Sequence, residues 1–219
     1  LAVNKLIYNN KESEIIAFDK TNIENRNNYF GFWLTEWMKP YENLIEKKWN
    51  NWLISNKNTN INHHDENYPY CVISFKTWKN YCLDTKNKLD LINNKVSHYF
   101  PIENYYKIIT EDNKEYFAKK IYDSRHLKEK NNELIQHFFG LNIITKDKTF
   151  DENKLTLMHF TEEDKLLHFI YALPFSQNNA LIESTVFSKK VLNEDWYRKR
   201  IYKYLEKNSI TEFKEDSIE

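Results

Sequence analysis

The period of the apolar positions changes several times along the chain, and each change marks an element. Val3, Leu6 and Ile7 have helical spacing, and Glu14-Ile15-Ile16-Ala17-Phe18-Asp19 follows as a short apolar strand ending in an acid. A helix feeding such a strand is the second half of a βαβ unit. Residues 22–28 are polar and turn-like. After Tyr29-Phe30-Gly31-Phe32-Trp33 a helix is predicted from near Pro40, because proline is tolerated in a first helical turn. Its apolar stripe is Tyr41, Leu44, Ile45, Trp49 and Trp52, which is either core packing or the lining of a pocket for a long apolar ligand. Residues 56–67 read as a loop, Cys71-Val72-Ile73-Ser74-Phe75 as a strand, Thr77 to Leu83 as a helix, and Tyr105 to Asp123 as two strands turning at Asp112-Asn113.

The last third is patterned most clearly. Leu167 to Leu173 and Ala180 to Phe187 are strand-like runs joined by Pro174-Phe175-Ser176-Gln177-Asn178-Asn179, whose paired Asn residues suit a turn, so the segment reads as a hairpin. A period of two on the second strand places Leu181, Glu183, Thr185 and Phe187 on one face and Ala180, Ile182, Ser184 and Val186 on the other. A helix follows from Asn193, a suitable N-cap, with Glu194 and Asp195 in its first turn and Tyr197, Ile201, Tyr204 and Leu205 along one stripe.

Composition narrows what these elements can do. Lys plus Arg equals Asp plus Glu at 32 each, so no global field draws in nucleic acid or an acidic substrate, and nucleic-acid binding is not expected. An apolar fraction of 41% with 16% aromatics supports a packed core. The longest apolar run, Leu166 to Phe175 with His168 inside it, is about half the roughly 20 residues a spanning helix needs. Cys71 and Cys82 are too few for a disulfide framework or a zinc cage, which fits a reducing compartment. His63-His64-Asp65-Glu66 offers four ligand-type side chains, but neighbours in sequence point in different directions, and no metal site is expected.

Only two glycines occur, Gly31 and Gly140, each alone, so neither a Walker loop nor a dinucleotide fingerprint lies in the chain. In dinucleotide-binding units the acid that holds the ribose hydroxyls ends the second strand, about 20 residues after the glycine loop. Counting back from Asp19 lands at or just before Leu1. Asp19 is thus either such an acid or an ordinary strand-end carboxylate. The chain opens without an initiator Met or a signal segment and is expected to be a fragment.

Glu183 sits between apolar neighbours. A carboxyl on an apolar face is disfavoured in its ionised form and can stay protonated near neutrality as a general acid; the other reading is an edge-strand Glu paired with a Lys.

Several short motifs in order carry a family likeness. Phe169-Ile170-Tyr171-Ala172-Leu173-Pro174-Phe175-Ser176 followed by Ala180-Leu181-Ile182-Glu183-Ser184-Thr185-Val186-Phe187-Ser188 resembles the hairpin of FAD-dependent lycopene cyclases. Upstream, Gln136-His137-Phe138-Phe139-Gly140-Leu141, Phe150-Asp151 and Leu157-Met158-His159-Phe160 look like the family's preceding segments. Ile121-Tyr122-Asp123-Ser124-Arg125 looks like its strand ending in Asp-Ser/Ala-Arg, and Phe32-Trp33 with Trp49 like its aromatic region. His159 stands where the family usually has Asp, and His126 where many members have Gly.

The resemblance implies redox-neutral ring closure of the linear ends of lycopene to β-ionone rings. Glu183, in the family's Glu-X-Thr motif, would be the proton donor, and His159 a proton relay. FAD in its reduced form is implied, with NAD(P)H as reductant, Asp19 on the ribose, and Asp123 and Arg125 near the flavin. The implied fold is α/β: an incomplete FAD/NAD(P)-binding Rossmann-like domain over residues 1–130, with an aromatic helical insert at about 29–55, and a partial α+β substrate-binding domain on an antiparallel sheet over 131–219. Because lycopene is confined to membranes, peripheral attachment at the inner, cytoplasmic face is expected, through aromatics of Trp37 to Trp52 or Tyr197 to Tyr204. The alternatives are a related flavoprotein oxidoreductase, such as an isoprenoid reductase or hydroxylase, and an inactive truncated fragment.

Overall fold

The structure is a computed structural model that describes residues 14–20, 28–84, 89–125, 134–163 and 165–219. In chain order the elements are β1 (Ile15–Phe18), β2 (Tyr29–Trp33), a 3-10 helix (Lys39–Leu44), β3 (Lys47–Trp49), β4 (Asn51–Ser55), β5 (Asn60–His64), β6 (Tyr70–Ser74) and α1 (Phe75–Leu83). Then come β7 (Leu89–Ile92), β8 (Val96–Ile102), β9 (Tyr105–Thr110), β10 (Glu115–Ala118), β11 (Ile135–Thr145), β12 (Lys154–Glu163), β13 (Leu166–Pro174), β14 (Asn179–Ser188), α2 (Glu194–Lys207) and β15 (Phe213–Ile218).

Contacts divide the chain into two units, residues 1–26 with 76–129 and residues 27–75 with 130–219. In the first, β1 and β7 pair in parallel, from Ile15 opposite Leu89 to Phe18 opposite Ile92. A parallel pair needs a crossover between its strands, and here the chain between β1 and β7 leaves the first unit for residues 27–75 of the second and comes back through α1. Strands β8, β9 and β10 form an antiparallel meander, and Asn113 takes a positive φ of 63° in the turn expected at Asp112-Asn113. The ring of Phe18 meets that of Tyr116 edge-on at 5.0 Å. The helical spacing at Val3, Leu6 and Ile7 lies outside the described residues.

The second unit is built on a seven-stranded sheet in the order β15-β11-β14-β13-β12-β4-β5, antiparallel except where β12 meets β4. Asn193 caps α2 by accepting the Trp196 N–H at 2.9 Å, and Tyr197, Ile201 and Leu205 point inward from that helix. They pack on Leu141, Ile143, Ile170 and Ile182, all fully buried, and each such aliphatic side chain contributes about 1.5–3 kcal/mol. On the opposite face Leu155, Leu173 and Leu181 meet Trp49 and Val72 of the three-stranded sheet β2-β6-β3 in a second core.

Two expectations for residues 29–67 are corrected. The helix near Pro40 is a single 3-10 stretch that ends at Ile45, whose backbone is extended, and Lys47–Trp49 and Asn51–Ser55 are strands. Trp49 is only 1% exposed and donates its indole N–H to the Pro174 carbonyl at 3.2 Å, so strand pairing and burial override the helical spacing of the aromatics. Residues 60–64, expected in a loop, form strand β5 at the sheet edge. All five are exposed, and for that reason they carry no alternation of apolar and polar positions.

Candidate active site

Strand β14 delivers Glu183 to the face of the large sheet that carries the second core. Its neighbours across the ladder are Gly140 on β11 and Tyr171 on β13. A Cβ at Gly140 would lie 3.0 Å from Leu181 Cδ1 and 3.1 Å from both Glu183 Cγ and Glu219 Cβ. A side chain there would have to push these neighbours aside by a few tenths of an ångström, so glycine leaves the two carboxyl-bearing side chains their room. Because both atoms lie 3.1 Å from one point, they are at most twice that, 6.2 Å, apart.

Glu219 follows β15 and is tied to Gly140 through both backbone groups, donating to its carbonyl at 2.9 Å and accepting its N–H at 3.1 Å. Its Oε1 accepts the Tyr29 N–H at 2.9 Å, whereas Oε2 is buried without a partner. Tyr171 donates its hydroxyl to that of Tyr70 at 2.8 Å. A Cβ at Gly31 would lie 2.9 Å from Tyr70 Cζ and 3.0 Å from Tyr171 Oη, so the second glycine is also fixed by this site. Around it stand aromatic rings. Trp33 meets Tyr70 edge-on at 5.0 Å and Trp52 at 4.6 Å, and Phe175 lies 4.8 Å from Tyr29.

These surroundings set the proton affinities. Burial, then the charge of Glu219, push Glu183 well above the ordinary carboxylate value of 4.5. Burial raises Glu219 to about 7, against the opposing Tyr29 N–H. Tyr171 is raised by burial and by its neighbour Tyr70, and Tyr70 by burial, so both phenols stay neutral. The site therefore favours the protonated form of Glu183 beside neutral phenols.

His159 is not part of it. On β12 it pairs with Ile170, which faces α2, and its ring lies 5.7 Å from that of Tyr204 on α2. The structure thus places His159 and Glu183 on opposite faces of the sheet, with Ser55 Oγ 2.8 Å from His159 Nδ1. On the α2 face His168 bridges Thr161 and Ser184, and His137 bridges Ser188 and Tyr197, which satisfies buried polar groups under the helix.

In the first unit, Asp19 ends β1 at the carboxyl edge of the parallel pair and forms an ion pair with Lys79 at 2.5 Å. Asp123 and Arg125 hold each other through Nε and Nη2, and Arg125 Nη1 also donates to the Val96 carbonyl at 2.8 Å. Hydrogen bonds from the guanidinium hold Asp123 at about 2. Asp19, Asp123 and Arg125 thus share one unit, and Glu183 lies in the other. His63 and His64 are exposed on β5, and among the described residues no group of ligand-type side chains is placed to hold a metal.

The family model described as lycopene cyclase protein matches residues 6–217. The chain belongs to the lycopene cyclase family. Among curated proteins none matches it. Solved structures share its fold. A geranylgeranyl bacteriochlorophyll reductase-like protein from Thermoplasma acidophilum superposes with a TM-score of 0.68 at 11% identity, over 99% of this chain and 61% of that one. A mutant of the halogenase PltM in complex with FAD gives 0.68 at 9%, over 100% and 57%. CtdE in complex with FAD and a substrate gives 0.59 at 11%, over 88% and 55%. The lycopene cyclase family chain thus spans little more than half the length of these proteins, and its α/β architecture is theirs.

Sequence reasoning missed Glu219, the Tyr70–Tyr171 pair and the two spaces kept by glycine. Glu219 carried no local signal: a bulge in the β11–β15 pairing leaves Glu215 opposite Ile143 on the α2 face and brings Glu219 to Gly140 on the other.

Proposed function

We propose that the chain is part of a lycopene cyclase in which Glu183 donates the proton that closes a linear carotene end group to a ring. The observation that carries this reading is Glu183 itself, a carboxyl on an aromatic-lined sheet face within the family's hairpin, where burial and Glu219 push it well above the ordinary carboxylate value. In the reaction the Glu183 O–H bond breaks and a C–H bond forms at the terminal alkene. A second alkene then attacks the resulting cation to close the ring. Loss of a neighbouring C–H proton to the Glu183 carboxylate restores a double bond, so no net oxidation occurs. Neutral rings such as Trp33, Tyr70 and Tyr171 offer π faces to the cation and exclude water.

FAD is the proposed cofactor, kept reduced by NAD(P)H. The donor set fits its ribose: Asp19 is a carboxylate at the carboxyl edge of a parallel pair, the place where such acids accept ribose hydroxyls. Gly31 and Gly140 both serve the second unit, so the glycine-lined backbone for the pyrophosphate does not come from the residues described. Asp123 and Arg125 would contribute on the flavin side as a mutually locked pair. Bound reduced flavin would supply negative charge that stabilises the carbocation.

The substrate's apolarity supports peripheral attachment at the cytoplasmic face of a membrane. Among the described residues no helix is long and apolar enough to cross one. Trp37, 64% exposed, is the candidate contact; Trp49 and Tyr197 are buried and do not serve.

A second reading, a flavoprotein reductase or oxygenase, is favoured by the reductase-like and halogenase relatives in fold. Supplying lycopene to the complete protein in D2O separates the two. Cyclisation gives ring products carrying one deuterium per ring, whereas a reduced or oxygenated product, or unchanged lycopene, rejects the cyclase reading.

A further inference from the structure

The reaction proposed above needs one protonated carboxyl, yet the site holds two acids. Glu183 and Glu219 approach through the space left by Gly140, with Glu183 Cγ and Glu219 Cβ within 6.2 Å as the sum of two 3.1 Å separations. Their hydrogen bonding is unequal. Glu219 Oε1 accepts a backbone N–H from Tyr29, a bond that favours its ionised form, while its Oε2 is buried and unpartnered. Among the described residues no such N–H acts on Glu183.

We infer that Glu219 is a positioning residue of the cyclisation site, an acid that on ionising holds the proton on Glu183. The charge of Glu219 acts on Glu183, and like charges on two adjoining, largely desolvated side chains do not both ionise readily, so the proton stays on the carboxyl that lacks the stabilising N–H. The other groups facing the pair are consistent with this. Glu183 faces the neutral phenols of Tyr70 and Tyr171. Glu219 faces Tyr29, on whose phenol Glu46 and Asp216 also act. Among the described residues no cation pairs with either carboxyl. Gly140 then leaves the space in which the two acids meet, and a Cβ there would crowd both.

The inference rests on Glu183 being the proton donor, but its test needs no turnover. In the complete protein the infrared carbonyl band of protonated Glu183, assigned by its loss in Glu183→Gln, is titrated with pH. Glu219→Gln is expected to lower the Glu183 midpoint by roughly 1–2 pH units, as removal of a nearby like charge requires. Glu219→Asp, which keeps the charge, holds it near the parent value. In the opposite direction Glu183→Gln leaves the Glu219 midpoint near 7, because Glu183 is already neutral when Glu219 titrates. A Glu183 midpoint unchanged in Glu219→Gln overturns the inference. So does a Glu219 midpoint that moves by a unit or more in Glu183→Gln, a measurement that stands even if Glu219→Gln does not fold. Retained cyclisation by Glu183→Gln would remove the donor role alone and leave the titration result in place.

Discussion

Tyr171 and Tyr70 share a hydrogen bond of 2.8 Å beside Gly31, and a Cβ at that glycine would meet both phenols. Strand β2 must therefore pass close to this pair. Gly31→Ala is expected to destabilise the protein by about 1–3 kcal/mol through overpacking, and to lower cyclisation by displacing Tyr171, which pairs with Glu183 across the ladder. Thermal melts and product analysis on the complete protein check both. A neutral substitution would mean that the phenols move aside freely.

Gly140→Ala should act at the carboxyl pair itself, because the new methyl would crowd Glu183 Cγ and Glu219 Cβ at 3.1 Å. The expected result is loss of cyclisation out of proportion to a destabilisation of about 1–3 kcal/mol, read as kcat against melting temperature. Parent-like kcat would show that the carboxyls tolerate separation.

The pH dependence of stability follows from the same residues. Glu219 has a folded-state value of about 7 against the ordinary 4.5, so the folded state binds the proton more tightly than the unfolded one. Its contribution is fully present below about 4.5 and is lost as pH rises to about 7. His137 and His159 have the opposite sign. Burial lowers both below 6.5, and the stability they contribute is lost as pH falls through that region. Denaturant melts of Glu219→Gln should flatten the decline between about 4.5 and about 7 while leaving the histidine limb in place.

His159 supplies a control. Its ring contacts Tyr204 and Ser55 on the α2 face, away from Glu183. His159→Gln should leave cyclisation close to parent, far from the loss of about 10²–10⁴ that follows removal of an acting acid or base. A loss of that size would restore the relay suggested by its position in the family motif.

What the sequence made legible depended on whether a residue's role is local. The β13–β14 hairpin, its face assignment and the Asn193 cap were readable, because period two and capping chemistry act over a few residues. Residues 39–55 were not: Trp49 and Trp52 have helical spacing, but they are strand residues whose burial comes from β6, β12 and β13, distant in sequence. Strand β5 was hidden because an edge exposed on both sides needs no apolar pattern. At the site Glu183 was legible from its apolar neighbours. Glu219 was not, since only the β11–β15 pairing brings it to Gly140.

The central claim, that Glu183 gives the proton, is tested most directly by Glu183→Gln in the complete protein supplied with lycopene and reductant. The amide keeps the shape of the carboxyl and lacks its acidic proton. The account predicts that ring products disappear while flavin absorbance and melting temperature remain those of the parent. Cyclisation at or near the parent rate by a folded, flavin-loaded Glu183→Gln protein would contradict it.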